Sequence, residues 1–203
     1  MKKILHRQKT NSINTKIMKK SKRCEWCGDD PMYVKYHDDE WGKPVHDDRI
    51  MFEFLVLEGA QAGLSWITIL KRRENYRKAF AKFDPKKVAK FTEKDVEQLM
   101  NNNGIIRNRL KINATISNAK AFLAIQKEFG SFSNFLWNFL PDGKPIAGHW
   151  KSCSDIPATT ELSDRIAKEM KRRGFKFFGS TICYAHLQAT GLVNDHINTC
   201  PAK

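Results

Sequence analysis

The chain has 203 residues, of which 41% are hydrophobic and 11% aromatic, which suits a folded core and excludes a disordered chain or a scaffold that needs disulfide staples. Its formal charge is +14, yet residues 1–23 hold nine of the 36 Lys and Arg and no acid, so the other 180 residues carry 27 basic against 22 acidic groups. No run of about 18 apolar residues offers a membrane span and the basic start lacks the apolar stretch of a secretory signal, so a soluble, cytoplasmic protein with no membrane partner is expected.

Residues 1–23 read as a disordered basic tail, and 24–203 as a helical body with room for two subdomains and a pocket between them. Asp47 or Asp48 caps a predicted helix through RIMFEFLVLEGA, which runs into a glycine-framed tip from Gly59 to Gly63. Ser65 then begins a predicted helix through WITILKRRENYRKAFAKF, with Ile67, Leu70 and Phe80 spaced for burial. Asp84 before Pro85 marks another start, and Thr92 with Asp95 forms a capping box ahead of VEQLM, broken at Gly104. A long helix through RLKINATISNAKAFLAIQKEF stops at Gly130. Helices follow at SFSNFLWNFL, at TTELSDRIAKEMKRR up to Gly174 and at STICYAHLQAT up to Gly191, while residues 141–157 form one long irregular connection. Little alternates as a strand would, so the expected fold is all-α.

Glu58 stands out within this pattern. It is the one charge in LVLEGAQAGLSW, beside glycines and Trp66, and an acid is expensive to bury unless something pairs with it. Such neighbours suit a pocket for a flat, hydrogen-bonding or cationic ligand.

Five cysteines, an odd number at irregular spacing, read as reduced thiols or metal ligands rather than a disulfide framework. His196 precedes Cys200 by one helical turn, which brings two donors together near the end of the body. The partner pair at its start is ambiguous: Cys24 with Cys27 has a knuckle spacing, slightly favoured on spacing alone, and Cys24 with His37 is the alternative.

Four collinear strings, YHDDEWG at 36–42, LEGAQAGLSWITIL at 57–70, RRGFKFFGSTICY at 172–184 and GLVNDH at 191–196, resemble the bacterial 3-methyladenine DNA glycosylase I family of the helix-hairpin-helix superfamily. The resemblance runs from about Cys24 to Cys200. It implies a compact helix-hairpin-helix fold in which one structural zinc, held by Cys24, His37, His196 and Cys200, ties the two ends together. Cys27 then falls outside the ligand pattern.

The same resemblance implies a monomeric, monofunctional enzyme of base excision repair. It would flip N3-methyladenine out of double-stranded alkylated DNA, excise it hydrolytically and release free 3-methyladenine. Glu58 would recognise the base with Tyr33 and Tyr36, while Trp41 and Trp66 bracket it. N3-methyladenine in DNA is a cation, for which a buried carboxylate and aromatic faces are natural partners. Without the family, the two tryptophans read as plain core residues.

Contacts to DNA are expected at Gly63 and Leu64, the latter as a wedge in the opened stack, and at the turn NNNGIIRNRLKI. There Gly104 and Ile105 would present backbone amides to phosphate, with Arg107, Arg109 and Lys111 supplying charge. Taken alone, that turn is an ordinary solvated helix start. No Asp occurs between Asp95 and Asp142 to serve as the acid found after this turn in many relatives, so Glu58 is expected to select charge more than to abstract a proton. Two other classes remain open. A non-catalytic zinc-bound helical nucleic-acid-binding module would release no base, and a catalytic zinc hydrolase would need a coordination position that four protein ligands close.

Overall fold

The computed structural model describes residues 22–203, so most of the expected tail lies outside the described residues. Lys22 and Arg23, assigned to that tail, are tied to the body. The Lys22 amide donates to the Thr199 carbonyl at 3.2 Å, and Arg23 Nε donates to Asp38 at 2.9 Å.

Ten α-helices make up the described body: α1 Pro31–Asp39, α2 Asp48–Gln61, α3 Trp66–Leu70, α4 Arg73–Ala79, α5 Pro85–Val88, α6 Glu93–Met100, α7 Arg109–Phe129, α8 Phe132–Trp137, α9 Glu161–Arg172 and α10 Ser180–Ala189. The expected caps are in place. Asp47 accepts from the Arg49 and Ile50 amides to start α2, Asp84 accepts from the Lys86 amide to start α5, and Thr92 with Asp95 closes the box on α6. Gly130, at φ 81, follows the last residue of α7.

α2 is the central element. Its residues Met51 to Glu58 are all buried, as suits a helix covered on every side, and it packs against α3, α7, α8 and α10. Because its walls are shared, its far end is a place where several elements converge on one cavity.

Two expectations need correction and one, the helical fold, a refinement. The single helix from residue 66 to 83 is broken into α3, α4 and a reversed turn: the chain turns at Lys71 and Arg72, where Arg72 stays in the right-handed region but flattens to φ −103° and ψ 0°, and Ala81, Lys82 and Phe83 take left-handed φ of 51, 56 and 54°. That turn carries Phe83 into the core, where it and Phe80 are both fully enclosed. The fold is helical but not wholly so: Ile146–Ala147 (β1) pairs in parallel with Val193–Asn194 (β2), binding the irregular connection to the segment before His196. Finally, α1 lies where no helix was expected. Asp30 caps it by accepting from the Met32 amide, with Pro31 in the first turn, the same device as Asp84 and Pro85.

The two ends of the body meet beside α10. The Gly42 and Val45 amides donate to the Gln188 and Thr190 carbonyls, each at 2.9 Å. Gly191 makes this approach feasible: its φ is +67°, and a Cβ there would sit 2.1 Å from the Lys43 carbonyl carbon.

Candidate functional site

α1 serves two clusters at once. Tyr33, Tyr36 and His37 fall at helical i, i+3 and i+4 positions and so share a face. The tyrosines turn to a cavity of about 340 Å³, and His37 turns to a cluster of metal-binding donors. Trp41, just past α1, stands between the two: it lines the cavity and meets the His196 ring edge-on at 4.7 Å.

In the donor cluster, Cys24, His37, His196 and Cys200 are all buried, with their ligand atoms within 4.8 Å of one another. The structure thus brings His37 into the cluster. Cys27 is buried beside it, but its Sγ contacts the Cys24 carbonyl at 3.1 Å. Both imidazoles are oriented from behind. His37 Nδ1 donates to Asp38 at 2.7 Å, which frees Nε2, and His196 Nε2 donates to the Trp41 carbonyl at 3.0 Å, which frees Nδ1. The freed nitrogens lie 3.4 to 3.6 Å from the two ligand sulfurs. Burial holds His196 down to about 4, hence neutral and able to ligate, and pushes the Cys24 thiol up to about 12, so a thiolate there requires a cation beside it.

Behind His196, the buried Asp195 accepts from Trp150 Nε1 at 2.6 Å, from Gln188 Nε2 at 2.8 Å and from the Tyr184 hydroxyl. Gln188 itself lines the cavity, so one carboxylate ties the strand before the donor cluster to the cavity wall.

Every base-pocket residue expected from the sequence lines that cavity: Tyr33, Tyr36, Trp41, Glu58 and Trp66. Trp26 was missed. It packs 4.9 Å from Trp41 and 5.2 Å from Tyr33, and its only sequence signal is an aromatic between two cysteines. Gln61 and Gln188 were missed too, since a lone glutamine carries no pattern.

Glu58 sits in the last turns of α2 with no hydrogen bond or ion pair to its carboxylate among the described residues. Burial pushes its pKa up to about 8. Trp66 Nε1 is likewise buried without an acceptor. Burial also raises Tyr33 to about 12, and Tyr36 well above its ordinary value, so both phenols remain donors. An aromatic cavity with one unpaired acid and several unused donors matches a flat ligand that carries positive charge and hydrogen-bonding edges.

Comparison with known proteins bears on what that ligand is. The family model for methyladenine glycosylase matches residues 26–203. The chain belongs to the methyladenine glycosylase family. A relative from Haemophilus influenzae, a DNA-3-methyladenine glycosylase, is 51% identical over 181 residues, covering 89% of this chain and 97% of its own. Among solved structures, a crystal structure of 3-methyladenine DNA glycosylase I superposes with a TM-score of 0.86 at 54% identity, over 89% of this chain and 98% of that one. A tyrosine-to-phenylalanine variant of a 3-methyladenine DNA glycosylase I in complex with 3-methyladenine does so with a TM-score of 0.86 at 39% identity, over 89% and 96%.

The residues expected at DNA are less uniformly placed. Gly63, at φ 82, and Leu64, 41% exposed, form an open tip beside the cavity-lining end of α2. Arg107 is exposed and has no ion pair among the described residues, whereas Arg109 is held by Glu93 and Glu97. Ile105 is buried in the core. The amides of the turn are also partly spent: Gly104 donates to Asn102 Oδ1 at 2.9 Å and Ile106 to the Tyr76 hydroxyl at 3.1 Å. Lys111 turns inward, to the carbonyls at the end of α2.

Proposed function

We propose that this family member is a monofunctional DNA glycosylase which draws N3-methyladenine out of alkylated double-stranded DNA and hydrolyses its glycosidic bond. The observation that carries the reading is the unpaired, buried Glu58 in an aromatic cavity. The cationic base supplies the charge that the carboxylate lacks, and on its arrival the acid gives up the proton that burial had retained. Neutral adenine leaves Glu58 without a counter-charge, so the site selects against undamaged DNA.

N3-alkylated adenine is already a good leaving group. The protein's share of catalysis is therefore to extrude the base, hold it between Trp41, Trp66 and the two tyrosines, and favour attack of water on a sugar with oxocarbenium character. Glu58 acts through electrostatic recognition. Leu64 at the open tip fills the gap left in the stack, and Arg107 is the cation freest to meet phosphate, across the turn between α6 and α7 that we assign as the helix-hairpin-helix element.

The donor cluster suits one structural zinc. A tetrahedral ion with ordinary Zn–S and Zn–N bonds sets sulfur and nitrogen about 3.6 Å apart, in line with the separations given above. Cys24, His37, His196 and Cys200 would together hold it with four protein ligands, so it would supply stability and order beside Trp41 rather than chemistry at the bond. The deciding experiment is incubation of the protein with methylated duplex DNA and chromatographic identification of the released base. Release of 3-methyladenine supports the reading, and intact DNA alone would refute it.

A further inference from the structure

Lys111 lies in the first turn of α7, where a lysine ordinarily faces solvent and, in a DNA-binding protein, phosphate. Its ammonium instead donates to the Ala60 carbonyl at 3.0 Å and to the Ala62 carbonyl at 2.6 Å. These belong to the last turn and cap of α2, where the helix has no amides left to satisfy them and the negative end of its dipole favours a cation. Two and four residues before them is Glu58, and immediately after them come Gly63 and Leu64.

The other end of this link is equally fixed. Asn108 accepts from the Lys111 amide at 3.1 Å, and the Tyr76 hydroxyl holds the Ile106 amide, so the turn from which Lys111 reaches out is anchored in the body. Contact with phosphate would require the ammonium to leave both carbonyls, uncovering two acceptors at the end of a largely buried helix. Burial already depresses the Lys111 pKa, in keeping with a side chain drawn out of water.

We infer that Lys111 is a positioning residue: it clamps the end of α2 to the α6–α7 turn, so that the surface gripping the DNA backbone, the Leu64 tip and Glu58 move as one rigid piece. The inference rests on the glycosylase reading for its functional meaning. The clamp itself can be tested apart from that reading.

The test uses the full chain with Lys111→Met, which keeps the side chain's length and removes its donors, and Lys111→Gln, which keeps a neutral donor and serves if the first variant folds poorly. Hydrogen exchange of the amides at 58–64 should speed up in Lys111→Met, less so in Lys111→Gln, with the rest of the body unchanged. Unaltered exchange at 58–64 overturns the clamp whatever the enzyme does. The salt dependence of binding to a duplex carrying a tetrahydrofuran abasic analogue should keep its slope, because no phosphate contact is lost; a slope smaller by about one would make Lys111 a phosphate ligand and overturn the inference. Single-turnover release of 3-methyladenine should fall roughly tenfold, and the Lys111→Met, Leu64→Ala double variant should be no slower than the worse single one. Multiplying effects would mean that Lys111 does not act through the tip. Failure of the wild-type protein to release the base would strike the glycosylase reading alone and leave the exchange result to judge the clamp.

Discussion

Helix α2 buries two glutamates five residues apart, to nearly the same extent, and treats them in opposite ways. Glu53, 6% exposed, accepts from Arg73 and Arg77, whose guanidinium reaches it at 2.7 Å, while Arg73 continues to Glu40 at 2.6 Å. Glu58, 5% exposed, meets aromatic rings and a cavity. Burial alone therefore does not mark a functional acid in this protein. The mark is the missing partner: a fold that supplies two arginines to one carboxylate leaves the other for a ligand.

The cysteines repeat the contrast, and there the largest effect is expected. Cys24 and Cys27 are both buried, but only Cys24 has His37, His196 and Cys200 around its sulfur. Removing a ligand by His37→Ala should abolish stoichiometric zinc by metal analysis and lower the unfolding midpoint sharply, since metal binding is coupled to folding. Cys27→Ser should keep the metal. A protein that loses zinc with Cys27 and retains it without His37 would reverse the assignment.

Glu53→Gln should come next in size. It takes the buried carboxylate away from Arg73 and Arg77 and leaves Arg73, itself mostly buried, with only the more exposed Glu40, and breaking such a buried pair typically costs about 3 kcal/mol in denaturant unfolding. Glu58→Gln should do the reverse. It removes no partner, so stability at pH 8 should hold or rise, while single-turnover release of 3-methyladenine falls about 100-fold, equivalent to about 2.7 kcal/mol of lost transition-state binding. Loss of excision with undiminished binding of free 3-methyladenine would show that Glu58 does more than recognise the base.

The two glutamates also show how much was legible beforehand. In the sequence each is a lone acid among apolar residues, and only the glycines and tryptophan following Glu58 singled it out. That local chemistry was readable, as were the caps of α2, α5 and α6, because an Asp or Thr acting on an amide two or three residues away is a short-range event. Glu53's rescue was not readable, since Arg73 and Arg77 reach it from a different helix. For the same reason Lys111, a charge in a plausible DNA-binding turn, gave no sign of turning inward to α2. The break after α3 and the reversed turn at Ala81 follow from where Phe83 must go, which only the assembled core decides. α1 was within reach, for Asp30 and Pro31 carry the signal that was used at Asp84 and Pro85. His37 entered the cluster by family likeness, spacing alone having leaned towards Cys27.

A graded effect sharpens the comparison through pH. With the Glu58 carboxyl raised from an ordinary 4.5 to about 8, the unliganded native state keeps a proton that the unfolded chain has released across that interval. Stability should therefore decline as pH rises from 4.5 to about 8 and level off above, and Glu58→Gln should flatten this slope. Capture of the cationic base needs the ionised carboxylate, so excision should strengthen over the same interval in which the free protein weakens. Parallel profiles for the two proteins would mean that another group controls the titration.

The smallest expected effect lies at the exposed counterpart of the Glu53 pair. Arg109 is held by Glu93 and Glu97 much as Arg77 is held by Glu53, but in water, where ion pairing competes with hydration and salt screening. Arg109→Gln should leave the unfolding midpoint where it is. Its two carboxylates hold it loosely enough that phosphate can replace them, so the salt slope of duplex binding should drop by about one, the change denied to Lys111. An unchanged slope would place Arg109 with Arg73 and Arg77 as a cation committed to the fold, leaving Arg107 as the charge that this turn offers to DNA.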